Sequence, residues 1–249
     1  METHANHSHK APGKNFLHYF FEFLMLFLAV TLGFYAENLR DHFTERSREN
    51  AFMQSMVEDL KTDTTKISEM VARNSRCFTL VDSLITLMRT PDCDRFGQTM
   101  YYYARIITTV NRRFELNDRT YEQMKSSGSL RMISDRAVSD SVLKYYSAQP
   151  NLRRQEDIQN ERANSYFDFA GNVFDAAVFQ EMMQVFPYGY KKPEGNPKLL
   201  THDPAVINDF IGRLHYLGAV TAGNTSQVRL RMDQTARLIA LIQKEYHLE

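Results

Sequence analysis

The sequence predicts an all-α protein: an N-terminal transmembrane helix that continues into a long heptad helix and an extramembrane helical bundle. Three observations carry this reading. Residues 16–36 form one apolar run of membrane-spanning length, residues 53–88 repeat apolar side chains in alternating steps of four and three, and no segment shows the period-two alternation of strands. Only 10 Gly and 7 Pro occur in 249 residues, which favours helices over a turn-rich β architecture.

Composition narrows the function classes. The chain carries 30 Lys+Arg against 30 Asp+Glu, so it has no whole-molecule field to draw in a polyanion. It also lacks a basic run with interleaved aromatics, and nucleic-acid binding is not expected. A hydrophobic content of 43% is ample for a packed core and argues against a disordered chain.

Residues 1–15 read as a short, polar, disordered tail. His4, His7 and His9 cluster there, a pattern that supports adventitious metal binding and no built site. From Phe16 to Ala36 only His18, Glu22, Thr31 and Gly33 interrupt the apolar and aromatic residues. At about 1.5 Å per residue the helix is roughly 31 Å long, the thickness of a bilayer core. Tyr19 and Tyr35 stand near its ends, where amphipathic rings favour the interface. The run exceeds a signal-peptide core, and cleavage after Ala36 would place Phe34 where a small residue is required, so the segment reads as an uncleaved anchor. The flank before it has Lys10, Lys14 and the amino terminus against Glu2. Residues 35–49 carry three arginines against four carboxylates. That difference predicts a cytoplasmic N-terminus, a periplasmic domain over 37–249 and a bacterial inner-membrane location.

One face of the span is unlike the rest. His18 and Glu22 are four residues apart, and the same face continues through Leu26, Ala29, Gly33 and Ala36. Ala29 and Gly33 form a small-xxx-small pair that lets helix backbones approach closely in lipid. His18 and Glu22 are the span's ionisable pair. They read either as partner contacts or, for Glu22, as a group that moves ions or protons.

Beyond the span, Met53, Val57, Leu60, Ile67, Val71, Phe78, Val81 and Ile85 mark the heptad seam, with Thr64, Asn74 and Met88 in the same register. Such a seam serves either an intramolecular bundle or a coiled coil between chains. Pro91 ends it. A second helix is expected over 97–114, with Met100, Tyr103, Ile107 and Val110 on one face. Asn117 or Asp118 caps a short helix through 120–126, with Thr120 and Gln123 matching a capping box and Gly128 at its left-handed end. Ser134 or Asp135 caps a helix to about Ser147. After Pro150 and Asn151 a long helix is expected from Leu152 to Phe186. The segment "PYGYKKPEGNPK" (187–198) opens a loop to 203, and Asp203-Pro204 is an N-cap with proline in the first turn. The last helix runs to about Tyr246, with Val206, Phe210, Leu214, Leu217, Leu230, Leu238, Leu241 and Ile242 as its stripe and Gly218 and Gly223 as places to bend.

No motif specifies chemistry. HExxH and Glu-x-x-His pairs are absent, and of 8 His only His202, His215 and His247 lie outside the tail and membrane region. Cys77 and Cys93 lie sixteen residues apart with no histidine near them in sequence, so they read as unpaired thiols or as one disulfide. Glu58, Asp59 and Asp63 read as a solvated acidic face. "KSSGS" (125–129) reads as a glycine-capped helix end, and His215 as a packing or surface residue. No catalytic, cofactor-binding or metal residue is expected, and the presence of a small-molecule ligand stays open.

The stretches "FLAVTLGFYAENLRDH", "MQSMVEDLKTDT", "LNDRTYEQMKSSGSLRMI" and "LIQKEYHLE" together resemble a family of uncharacterised single-pass membrane proteins found widely in Bacteroidota. The likeness implies an N-terminal anchor with a helical domain, and it brings no activity. The expected function is therefore a scaffold, sensor or accessory subunit in the bilayer, assembling with itself or with a membrane partner. A subunit of an ion-driven or channel-like complex that uses Glu22 is the alternative.

Overall fold

The computed structural model describes residues 16–110 and 116–248. The tail with His4, His7 and His9, the side chain of Val110 and the expected helical residues 111–114 lie outside the described set. Helix α1 runs unbroken over Phe16–Met88. The chain divides into two compact units, Met1–Ala51 and Phe52–Glu249.

In the first unit α1 is long and apolar enough to cross a membrane. The side chains from Phe16 to Ala36 are exposed, apart from half-buried Leu24. Helix geometry continues past Ala36, where charge returns, so the end of the apolar run is set by composition and not by a break in the backbone.

The second unit is built on an antiparallel pair: the part of α1 from Phe52 onward, and α7 over Pro204–Tyr246. Met53 and Leu60 cluster with Leu238 and Ile242, Ile67 and Met70 with Val228, and Val81 and Leu84 with Leu214 and Leu217. Among the described residues, five shorter α-helices complete the bundle: α2 over Gly97–Ile107, α3 over Arg119–Ser126, α4 over Arg136–Ser147, α5 over Gln149–Ala170 and α6 over Ala176–Glu181. An antiparallel ribbon joins β1 (Met183–Gln184) to β2 (Gly189–Tyr190), with Met183 opposite Tyr190. The fold class is all-α, as the sequence predicts.

The seam follows the predicted period with half of it shifted by one residue. Met53, Leu60, Ile67, Asn74, Val81 and Met88 are buried as expected. Their companions are Met56, Asp63, Met70, Cys77 and Leu84, in place of Thr64, Val71, Phe78 and Ile85. Val57 is also buried, but Val71 and Ile85 are only half-buried and Phe78 is 45% exposed. Both registers step by seven. The observed one carries Asp63 in place of Thr64, so hydropathy favours the neighbouring row. Helix α7 repeats the pattern: Leu214, Leu217, Thr221, Asn224, Val228, Arg231, Thr235, Leu238 and Ile242 are buried in steps of three and four. Leu230, expected in the stripe, is exposed. The buried row of the seam is therefore packed inside the chain's own core.

Other elements differ from expectation for local reasons. Helix α2 ends at Ile107 and continues as a 3-10 turn to Val110. The helix expected over 152–186 stops at Ala170, and Asp175 recaps the chain by accepting the Ala177 N–H at 2.8 Å. Pro150 sits in the first turn of α5, where its missing N–H costs nothing. Asp203 accepts the N–H groups of Ala205 and Val206 at 2.7 and 3.2 Å, as its Asp-Pro pair predicts. Helix α7 does not break at Gly218 or Gly223. A Cβ on Gly218 would stand 3.0 Å from Val81 Cγ1, so this glycine serves the close approach of α7 to α1.

Candidate functional site

The predicted membrane-face residues occupy one surface that has no partner among the described residues. His18, Glu22, Ala29, Gly33 and Ala36 are exposed on α1, and nothing lies within 4 Å of where a Gly33 Cβ would stand. Thr31, the other polar residue of the span's middle, returns its hydroxyl to the Phe27 carbonyl at 2.8 Å, which hides its polarity within the helix. This exposed surface is thus apolar and narrow at Ala29 and Gly33, with His18 and Glu22 at its N-terminal end.

In the bundle, polar residues divide the seam into three apolar cores. Asp63 lies between the Met53–Leu60 and Ile67–Met70 clusters, and Asn74 lies between Ile67–Met70 and Cys77–Met88. At the Asn74 level, Asn224 donates from Nδ2 to Gln159 Oε1 at 2.5 Å, and Gln159 donates from Nε2 to Asn74 Oδ1 at a long 3.5 Å. Polar layers of this kind cost stability relative to apolar packing and fix the register of facing helices.

The second layer holds the acidic pair that the sequence placed in solvent. Asp59 and Asp63 are 1% and 0% exposed. Asp59 Oδ2 accepts the N–H and the hydroxyl of Thr120 at 3.0 and 2.5 Å, while its Oδ1 accepts from Asn117 Nδ2 at 2.7 Å and from Arg119 at 3.0 Å. Asp63 Oδ1 accepts the Asn117 N–H at 2.7 Å. The N-terminus of α3 is thus capped by Asp59 from α1, and the residue leading into it is held by Asp63. The nearest residue in sequence, Asp118, makes no side-chain cap, and the expected Thr120/Gln123 capping box does not form, because Thr120 turns to Asp59. Burial pushes the Asp63 carboxyl up to about 6, against the lowering effects of the Asn117 N–H, Lys66 and Arg231.

Arg231 stands in the same layer, 3% exposed, with its guanidinium carbon 3.3 Å from the Tyr145 ring centroid. None of its three guanidinium nitrogens meets a hydrogen-bond acceptor among the described residues. Burial lowers its affinity for the proton, opposed by Tyr145, Tyr146 and Asp63. A cavity of ≈ 10 Å³ lies beside it, bounded by Glu156, Asn224 and Val228, room for about one water. The Tyr145 hydroxyl pairs with Thr235 Oγ1 at 3.0 Å. This polar group was detectable in sequence only as a step of seven from Asn224 and Leu238, where an arginine reads as a break in the stripe.

Two further features lie on the surface of the bundle. A groove of ≈ 330 Å³ between α4 and α7 is lined by Lys144, Tyr145, Arg237 and Leu241 among others. At the other end, Cys93, Asp94 and His202 converge, with ligand atoms all within 4.8 Å of one another. Sequence distance hid this group, because His202 is 108 residues from Asp94. The two cysteines are free thiols: Cys77 is buried in the seam and Cys93 is half-buried. Burial pushes the Cys77 thiol up to about 11, and burial followed by the Asp94 carboxylate raises that of Cys93. His215, expected as a packing or surface histidine, is exposed with its ring against Tyr216. The chain matches no family model, no curated protein and no solved structure.

Proposed function

We propose that this chain is a single-pass, membrane-anchored accessory or scaffold subunit that acts by assembling with helices in the bilayer and performs no catalysis itself. The N-terminus lies in the cytoplasm and the bundle in the periplasm of a bacterial inner membrane. The observation that carries this reading is the division of labour between two stretches of α1. The buried row of the seam, from Met53 to Met88, packs against the chain's own helices. The face with Ala29, Gly33 and Ala36 is exposed, with no partner among the described residues. Assembly is therefore assigned to the span, where small residues permit close backbone contact.

The test is the oligomeric state of the full-length protein in mild detergent, by sedimentation, together with what co-purifies from native membranes. Ala29→Leu with Gly33→Leu is expected to dissociate the homo-oligomer or release the membrane partner. Retention of the same species by the double variant overturns the proposal. Glu22→Gln separates the ion-coupled alternative. Under the scaffold reading it preserves both assembly and the phenotype that full-length protein restores to a deletion strain.

A further inference from the structure

We propose that Cys93 Sγ, the Asp94 carboxylate and a His202 ring nitrogen form a three-ligand site for one borderline divalent transition-metal ion of the zinc class, with a fourth position left to water. Three different donor types meet here from two separate parts of the chain, and their ligand atoms lie within 4.8 Å of one another. His202 Nε2 already stands 3.0 Å from Asp94 Oδ1. Around a tetrahedral ion with ordinary zinc bond lengths, nitrogen and oxygen ligands sit about 3.3 Å apart and sulfur and nitrogen about 3.6 Å apart. The observed triangle thus needs adjustments of up to about 1.2 Å.

The scaffold beneath the triangle is built to hold it. Asp92 takes a left-handed conformation, φ 55°, and turns the chain into the 3-10 segment Cys93–Phe96. Asn196 then clamps the opposite loop onto this turn. Its Nδ2 donates to the Asp94 carbonyl at 2.5 Å, and its Oδ1 accepts the Gln98 N–H at 3.1 Å. A Cβ on Gly97 would overlap the Pro197 carbonyl oxygen, so only glycine admits the loop this close. Gln98 Nε2 donates to the Pro193 carbonyl at 2.9 Å, and the buried Tyr101 hydroxyl donates to the Lys198 carbonyl at 3.0 Å. His202 lies between that anchored loop and Asp203, the cap of α7. Its backbone is anchored on both sides, while its side chain is 58% exposed.

The donor set selects the ion. One sulfur, one imidazole nitrogen and one carboxylate oxygen suit zinc and its borderline neighbours, whereas calcium and magnesium demand oxygen ligands. On binding, the thiol proton passes to solvent and the thiolate forms the metal–sulfur bond. The simpler reading of the same contact is a surface hydrogen bond between His202 and Asp94 with a neighbouring thiol.

Cobalt(II) distinguishes the two. It replaces zinc in such sites, and thiolate coordination gives a ligand-to-metal charge-transfer band in the near ultraviolet that histidine-only binding at His4, His7 and His9 cannot produce. Reduced full-length protein in detergent is titrated with cobalt(II). The expected result is a charge-transfer band saturating at one equivalent and displaced by zinc. Cys77→Ser retains it and Cys93→Ser abolishes it. His202→Gln and Asp94→Asn each weaken cobalt binding by about tenfold or more, with the metal-free circular dichroism unchanged. Absence of the band from wild-type protein, its survival in Cys93→Ser, or unaltered affinity in both other variants overturns the proposal.

Discussion

Asp59 caps a helix sixty residues away in the chain: its carboxylate accepts both the N–H and the hydroxyl of Thr120. A free N-terminal N–H on α3 is satisfied by α1 and not by the local sequence, so α3 is held only when the bundle is closed. Asp59→Ala removes the acceptor for four donors, three of which lie on Asn117 and Thr120. Loss of a buried, charged acceptor costs about 3 kcal/mol. Arg119 contributes little of this, being mostly exposed. Urea unfolding of the full-length protein in detergent is expected to show that loss, with Arg119→Ala changing stability by under about 1 kcal/mol.

Asp63 gives the bundle a pH dependence of defined sign. Its carboxyl titrates at about 6 in the folded chain against an ordinary value of 3.8, so the folded state holds the proton more tightly. The ionised form is the costly one. Stability from this group is greatest below about pH 4 and declines as pH rises through 6, by on the order of 3 kcal/mol in total. The Asp63→Asn variant can still accept the Asn117 N–H while abolishing this titration. The difference in unfolding free energy between the two proteins is expected to change between pH 4 and 6.5 and to be flat outside that window. A constant difference across the range would rule out Asp63 as the titrating group.

Residues that follow simple rules were legible in the sequence, and those that break them were not. The Asp203-Pro204 start, the Asp135 cap, which accepts the Val138 N–H at 2.8 Å, and the left-handed Gly128 are local, and each was readable. The length of the seam was readable too, because period survives substitution. Its phase was not. A rule that expects apolar residues inside chooses Thr64 over Asp63, and among the described residues the one hydrogen bond to a buried Asp63 oxygen comes from Asn117, far along the chain. Arg231 is hidden because the ring it stacks on, Tyr145, also lies far along the chain. The Cys93–Asp94–His202 group depends on Asn196 and Gly97 bringing two loops together, and no spacing rule encodes that.

The phase of the seam can be measured directly. Leu84 is fully buried while Phe78 is 45% exposed. Leu84→Ala should cost about 2–5 kcal/mol, since it leaves a cavity among Val81, Leu214 and Leu217. Phe78→Ala should cost less than about 1 kcal/mol, despite removing the larger side chain. The register read from hydropathy alone predicts the reverse order. Equal losses would mean that neither phase describes the core.

Two glycines on α7 should respond in opposite directions to added side chains. Gly223 is exposed, helical and open, with nothing within 4 Å of a new Cβ. Alanine there restricts the unfolded chain and favours the helix, so Gly223→Ala should raise stability by about 0.5–1 kcal/mol. Gly218 is buried, and a Cβ would already stand 3.0 Å from Val81 Cγ1. A larger side chain must push α7 away from α1 at the point where Val81 packs. Gly218→Leu is therefore expected to destabilise by about 1–3 kcal/mol or more, measured by the same urea unfolding. Val81→Ala opens space at that contact, so the cost of Gly218→Leu in a Val81→Ala background should fall below its cost in the wild type. Additive losses would show that the glycine acts through its own backbone and not through the helix pair.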